Sequence, residues 1–135
     1  MKRAIYVDGP RSFEKYDDTH YMVYLNEEVI QDYTPETIDV QPTPTPTTAY
    51  AYSGEENNGG TLIEAVSSDR DSLINGIIRN RYSQSAEDAI KTHQIELLKA
   101  ENHPKAEEYE KEWAEFLAVR EMAKSSVDRW LSKAR

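Results

Sequence analysis

The final third of the chain carries the clearest alternation of apolar and polar positions. Tyr109, Trp113, Phe116, Arg120, Ala123, Val127 and Trp130 recur at steps of four and three, which lines them along one seam of a long helix. That helix opens on Glu107, Glu108, Glu110 and Glu112 and closes on Lys124, Arg129, Lys133 and Arg135, so each end matches the helix dipole. Pro104, in Asn102-His103-Pro104, stops the preceding element and suits the first position of this one. Upstream, Ala86, Ala89, Ile90, His93 and Leu97 predict a helix over about 85–101. Leu73, Ile74, Ile77 and Ile78 predict another, capped by Ser68 with Asp71 three residues on and ending at Arg79 and Arg81. Gly76 costs this helix stability and marks a place of close packing.

The first half has the shorter period of strands. Ala4-Ile5-Tyr6-Val7 ends at the turn signal Asp8-Gly9-Pro10. Residues His20 to Leu25 put Tyr21, Val23 and Leu25 on one face, with Met22 and Tyr24 on the other. Asn26-Glu27 turns this run into Glu28–Tyr33, which predicts a hairpin. Ala49-Tyr50-Ala51-Tyr52, the turn Asn57-Asn58-Gly59-Gly60 and Thr61–Ala65 predict a second one. Between them, Gln41-Pro42-Thr43-Pro44-Thr45-Pro46-Thr47-Thr48 lacks the donors for a sheet and disfavours helix. It reads as an extended spacer of ~25 Å, or as a ligand for an aromatic groove. The expected fold is α+β: a small β-rich module over 1–40, a linker over 41–48, and a β-hairpin followed by three helices over 49–135.

Composition narrows the function. The chain has 38% apolar and 30% charged residues, with nine tyrosines against two each of phenylalanine and tryptophan. Tyrosine suits half-exposed sheet faces and interfaces. The absence of cysteine excludes disulfides, thiolate nucleophiles and Cys-based zinc sites. Net charge is −9, with −5 over 1–48 and −4 over 49–135, the wrong sign for binding nucleic-acid phosphates. No apolar run reaches transmembrane length, and Met1-Lys2-Arg3 leads to Asp8 instead of an apolar signal core. A cytoplasmic site of synthesis is expected, with no membrane and no nucleic acid among the partners.

Candidate chemistry is thin. His93 and His103 are ten residues apart, and His20 stands near Asp17 and Asp18; none has the spacing of a metal-binding helix. Asp8, Asp17 and Asp18 read as loop acids, not as carboxyls set across a cleft. Gly59-Gly60-Thr61 lacks the lysine and spacing of a phosphate loop. Serines 67, 68, 83, 85, 125 and 126 lack a nucleophile elbow, and several suit helix caps. No catalysis, metal or cofactor is expected.

The layout resembles small accessory proteins encoded beside tail-fibre or structural genes of tailed phages and prophages. The residues that carry the resemblance lie mainly in 49–135: Tyr50-Ala51-Tyr52-Ser53-Gly54 leading to Gly59-Gly60-Thr61-Leu62-Ile63-Glu64-Ala65, then Arg79-Asn80-Arg81-Tyr82 and Glu112-Trp113-Ala114-Glu115-Phe116. It implies a virion component or fibre-assembly chaperone that binds itself or other virion proteins. The aromatic seam has two readings, as the chain's own core or as a docking ridge. A helix of nearly 30 residues spans ~40 Å, long for so small a chain to cover. On the docking reading the interface residues are Tyr109, Trp113, Phe116, Arg120, Val127 and Trp130, with Tyr21 and Tyr24 from the strands. Homo-oligomers would form through the last helix or strand edges. The rival expectation is an acidic inhibitor of a host nuclease or defence enzyme.

Overall fold

The computed structural model of the chain describes residues 1–34 and 45–132. Its strands are β1 (Lys2–Tyr6), β2 (Phe13–Asp17), β3 (His20–Val23), β4 (Glu28–Tyr33), β5 (Thr47–Gly54) and β6 (Thr61–Glu64). Its helices are α1 (Arg70–Arg81), α2 (Gln84–Lys99) and α3 (Ala106–Ser132). The class is α+β, with strands first and helices after. The chain forms two compact units, Met1–Leu62 and Ile63–Arg135. Residues 41–44 of the Pro/Thr run lie outside the described residues, while Thr47 and Thr48 already belong to β5. Residues 49–62, expected to open the C-terminal module, group instead with the N-terminal strands, because β5 pairs with both β1 and β4.

Strand pairing in the first unit departs from the expected hairpins. One sheet has the order β1-β5-β4 and the other β2-β3-β6. Neither β3–β4 nor β5–β6 is a ladder: both connections carry the chain from one sheet to the other. Asn26 makes the first crossing by taking φ 58°, and its side-chain amide donates to the Ser53 carbonyl at 3.1 Å. Gly59 serves the second at φ 79°, its N–H donating to the Glu56 carbonyl at 3.0 Å. Consecutive strands pair antiparallel at β4–β5 and, through a tight turn, at β2–β3. The β2–β3 register runs from Phe13↔Val23 through Lys15↔Tyr21 and then shifts to Asp17↔His20, so Tyr16 is the extra residue of a β-bulge.

Both faces of the strand region around β3 are buried. Val23 is closed from solvent, and Met22 and Tyr24 pack with Tyr52 as a cluster flanked by Tyr6, Tyr50 and Leu62. The alternation read from 20–25 thus places Met22 and Tyr24 together as expected.

In the second unit α1 is capped by Asp69, not Ser68: the Asp69 carboxylate accepts from the Ser72 N–H at 2.8 Å. Ser83 caps α2 in the same way, accepting from Ala86 at 3.0 Å. Leu73, Ile74, Ile77 and Ile78 are buried as their spacing predicts. Pro104 lies in the turn ahead of α3, which begins two residues later. Among the described residues no helix is long and apolar enough to cross a membrane.

The long α3 is covered by the two helices before it. Arg70 at the start of α1 pairs with Asp128 near the end of α3 (Nε to Oδ1, 2.6 Å). Tyr82, at the corner between α1 and α2, meets the Phe116 ring edge-on at 5.3 Å between centroids. Further along α2, His93 binds Glu112 at 2.8 Å and Gln94 donates to the Tyr109 carbonyl at 3.0 Å. Helices of 12 and 16 residues thus run end to end and antiparallel along one of 27. The chain has enough helix to hide its own ridge.

Candidate functional site

The proposed docking residues are mostly core. Phe116 and Val127 are at most 1% exposed, Trp130 4%, Tyr24 2%, and Tyr21 and Tyr109 9% each. Trp113 is half-buried and stacks on Phe116, with 5.8 Å between centroids. Arg120 alone of the eight is exposed. A heptad read at 3.5 residues per turn drifts on a straight helix of 3.6, so the half-buried position beyond Phe116 is Val119, and Arg120 rotates outward. The ridge from Tyr109 to Trp130 is therefore not an open docking surface on this chain.

The histidines have local partners. His93 lies parallel to the Tyr109 ring, 3° between planes and 4.0 Å between centroids, while its Nδ1 meets Glu112. His103 Nδ1 accepts from the Lys105 N–H at 3.0 Å. His20 Nδ1 lies 3.0 Å from Asp17 Oδ1. Among the described residues no group of three or more His, Asp or Glu is placed to hold a metal ion.

What sequence reading missed is a polar aromatic assembly in the first unit. Tyr6, Tyr24 and Tyr52 meet edge-on or tilted, with centroids 5.6 to 6.1 Å apart. The Tyr24 hydroxyl donates to Glu14 at 2.8 Å and accepts from the Asn58 amide at 3.2 Å. The Tyr52 hydroxyl donates to Glu27 at 2.7 Å and accepts from the Arg11 N–H at 2.7 Å. Burial, reinforced by the Glu14 carboxylate, pushes the Tyr24 hydroxyl up to about 12. Arg11 completes the group: its guanidinium carbon sits 4.0 Å above the Tyr6 ring, and Nη2 reaches Asp8 at 3.4 Å. The sequence signal was the run of tyrosines in 20–25 and 49–52; their convergence on one cluster depends on strand pairing that no local pattern encodes.

The unit that holds this cluster is acidic in sequence. Met1–Leu62 holds 11 acidic and 4 basic residues, −7 of the chain's −9, whereas Ile63–Arg135 holds 14 and 12. Asp8, Asp18 and Glu28 expose 70%, 100% and 59% of their side chains. Asp17, in the β2–β3 turn, is held below the usual carboxylate range, first by the Thr19 N–H and then by His20, so it stays charged. Tyr16 beside it is 62% exposed, and it is the exposed one among nine tyrosines. Compared with protein-family models, curated proteins and solved structures, the chain matches none.

Proposed function

We propose that the chain is a non-catalytic protein-binding protein whose acidic β unit docks a basic protein surface. The observation that carries this reading is the concentration of charge: −7 within Met1–Leu62 against −2 in the remainder. An excess of carboxylates in one unit steers a cationic partner and chooses it by charge. An inhibitor of a nucleic-acid-binding enzyme is the form of this function that the charge suits best, because such enzymes carry the complementary basic cleft.

A second reading keeps the phage-accessory role, as virion component or assembly chaperone. It is favoured by the outer side of α2, where Ile95 is 53% and Leu98 88% exposed, three residues apart on one face. The two readings differ in their response to salt. Acidic docking weakens steeply as ionic strength rises, while apolar assembly tolerates it. The test measures association of the full chain with a set of purified basic proteins across a salt series. Asp8→Asn, Asp18→Asn and Glu28→Gln are combined in one variant, and Ile95→Ser with Leu98→Ser in another. Loss of affinity in the first and retention in the second is expected. Salt-independent self-association that only the second variant abolishes would replace docking with assembly.

A further inference from the structure

The two sheets have four edge strands, β1, β4, β2 and β6, and they are not equally closed to a neighbour. Alternate residues of an antiparallel edge strand turn their N–H and C=O groups away from the one partner present, which leaves a template for another extended chain. Three of the four edges are blunted. β4 slips register between Ile30 and Tyr33, where Asp32 takes φ 55°. β2 carries the bulge at Tyr16, and β6 is four residues long. β1, in contrast, keeps an unbroken register with β5 from Lys2↔Gly54 to Tyr6↔Tyr50, and among the described residues β5 is its only strand partner. Ile5 on this strand is 36% exposed, and Val7 directly after it 48%. Apolar side chains on a regular, open edge are what natural sheets avoid unless the edge is used.

The sequence of this edge is complementary to itself when reversed. Set antiparallel with Ile5 opposite Ile5, two copies place Lys2 opposite Asp8, Arg3 opposite Val7 and Ala4 opposite Tyr6. Opposed side chains share a face of the sheet, so Ile5 of each copy meets at the axis with Val7 and the stem of Arg3 beside it. The other face sets small Ala4 against large Tyr6 and ends in two Lys2–Asp8 pairs of opposite charge. Asp8 has room for this, with 70% of its side chain exposed and Arg11 no nearer than 3.4 Å. Parallel pairing would instead bring Lys2 and Arg3 of both copies together. Charge also selects this edge within its unit: Met1–Leu62 carries −7, yet Lys2 and Arg3 are two of its four basic residues. We propose that the chain forms a two-fold dimer by antiparallel pairing of β1 with β1 of a second copy, joining two three-stranded sheets into one. A single edge ladder is a small interface, so the dimer is reversible and concentration-dependent. It neither needs nor excludes the acidic-docking reading.

The test is sedimentation of the full chain over a concentration series, in which a monomer–dimer equilibrium is expected. Ile5→Lys puts two like charges at the axis and should weaken the dimer at least about tenfold. Lys2→Asp and Asp8→Lys should each weaken it about threefold to tenfold, and the two combined, which restore opposite charges in reversed order, should recover the original affinity. The chain has no cysteine, so Ile5→Cys places one thiol per copy across the axis. Directly opposed Cα atoms of antiparallel strands lie about 4.5–5.5 Å apart, within disulfide reach. Mild oxidation should link Ile5→Cys into a dimer and leave Val29→Cys, on the β4 edge and 52% exposed, unlinked. Unchanged near-ultraviolet tyrosine dichroism verifies that each variant is folded. A chain that stays monomeric at every concentration overturns the proposal. So does a dimer that Ile5→Lys leaves intact, or one that only Ile95→Ser with Leu98→Ser removes. A combined charge swap no tighter than its two parents overturns the register.

Discussion

At the scale of single residues, close packing sets harder limits than local propensity. Gly76 stands in the middle of α1, where alanine is the better helix former by about 1 kcal/mol. A Cβ there would come within 2.7 Å of the Glu64 carbonyl oxygen and 2.8 Å of Ile63 Cδ1. The carbonyl belongs to backbone and has little freedom to retreat. Gly76→Ala is therefore expected to destabilise by roughly 1–3 kcal/mol, against the sign of helix propensity, as measured by urea unfolding. The close approach was legible from the sequence because glycine inside an otherwise regular helix costs stability without such a reason. Tyr24 was legible only in part. Its place opposite Val23 and Leu25 followed from alternation, but its bonds to Glu14 and Asn58 join residues far apart in the chain. Tyr24→Phe keeps the ring contacts and leaves both partners with one bond fewer. A loss of about 1–2 kcal/mol is expected in the same assay, with near-ultraviolet circular dichroism following the tyrosine cluster.

Among elements, the helices were read with little error and the sheets were not. A helix is closed by bonds between near neighbours, so apolar spacing locates it; a strand's partner is chosen by the whole unit. The segment Phe13–Asp17, of which only Asp17 was expected as a loop acid, is β2: its charges fit an edge strand open to water. The buried seam of α3 was visible, but whether it was covered depended on α1 and α2 running end to end along it. Their alignment is held at the corner by Glu87, 8% exposed, which accepts from Arg79 at 2.9 Å and from Lys91 at 2.6 Å. Arg79 also donates to the Tyr82 carbonyl, tying the end of α1 to the first turn of α2. Glu87→Gln is expected to cost about 1–3 kcal/mol, since it leaves two cations facing a neutral group at a nearly closed site. Lys91→Met, at a side chain half in water, is expected to cost less than about 1 kcal/mol. Unfolding of both variants followed by helical circular dichroism separates the two; equal costs would place the corner's strength elsewhere.

For the whole molecule, the two units should respond to opposite ends of the pH scale. Glu87 is held below its ordinary 4.5, first by Lys91 and then by Arg79. Asp128 and Asp69 are held below 3.8, by Arg70 and by hydrogen bonds from Ser72. All three lie in Ile63–Arg135. A carboxylate with a lowered folded value contributes its full stability above the unfolded value and loses it as pH falls through the folded one. The helical unit should therefore weaken progressively below about pH 4.5. Asp17 adds a smaller loss of the same sign in Met1–Leu62, at an open turn. Tyr24 works in the other direction. Its folded value of about 12 lies above the ordinary 10, so its contribution is complete below pH 10 and disappears as pH rises towards 12. Both tryptophans, Trp113 and Trp130, lie in α3, so their emission reports the helical unit, while the part of the near-ultraviolet tyrosine dichroism that Tyr24→Phe removes reports the cluster of Tyr6, Tyr24 and Tyr52. In a pH series at fixed urea, tryptophan emission should move first on the acid side and this dichroism first on the alkaline side. Glu87→Gln should flatten the acid limb alone, and Tyr24→Phe the alkaline limb alone. If either substitution altered both limbs equally, the stabilities of the two units would be coupled more tightly than their separate sets of titrating groups imply.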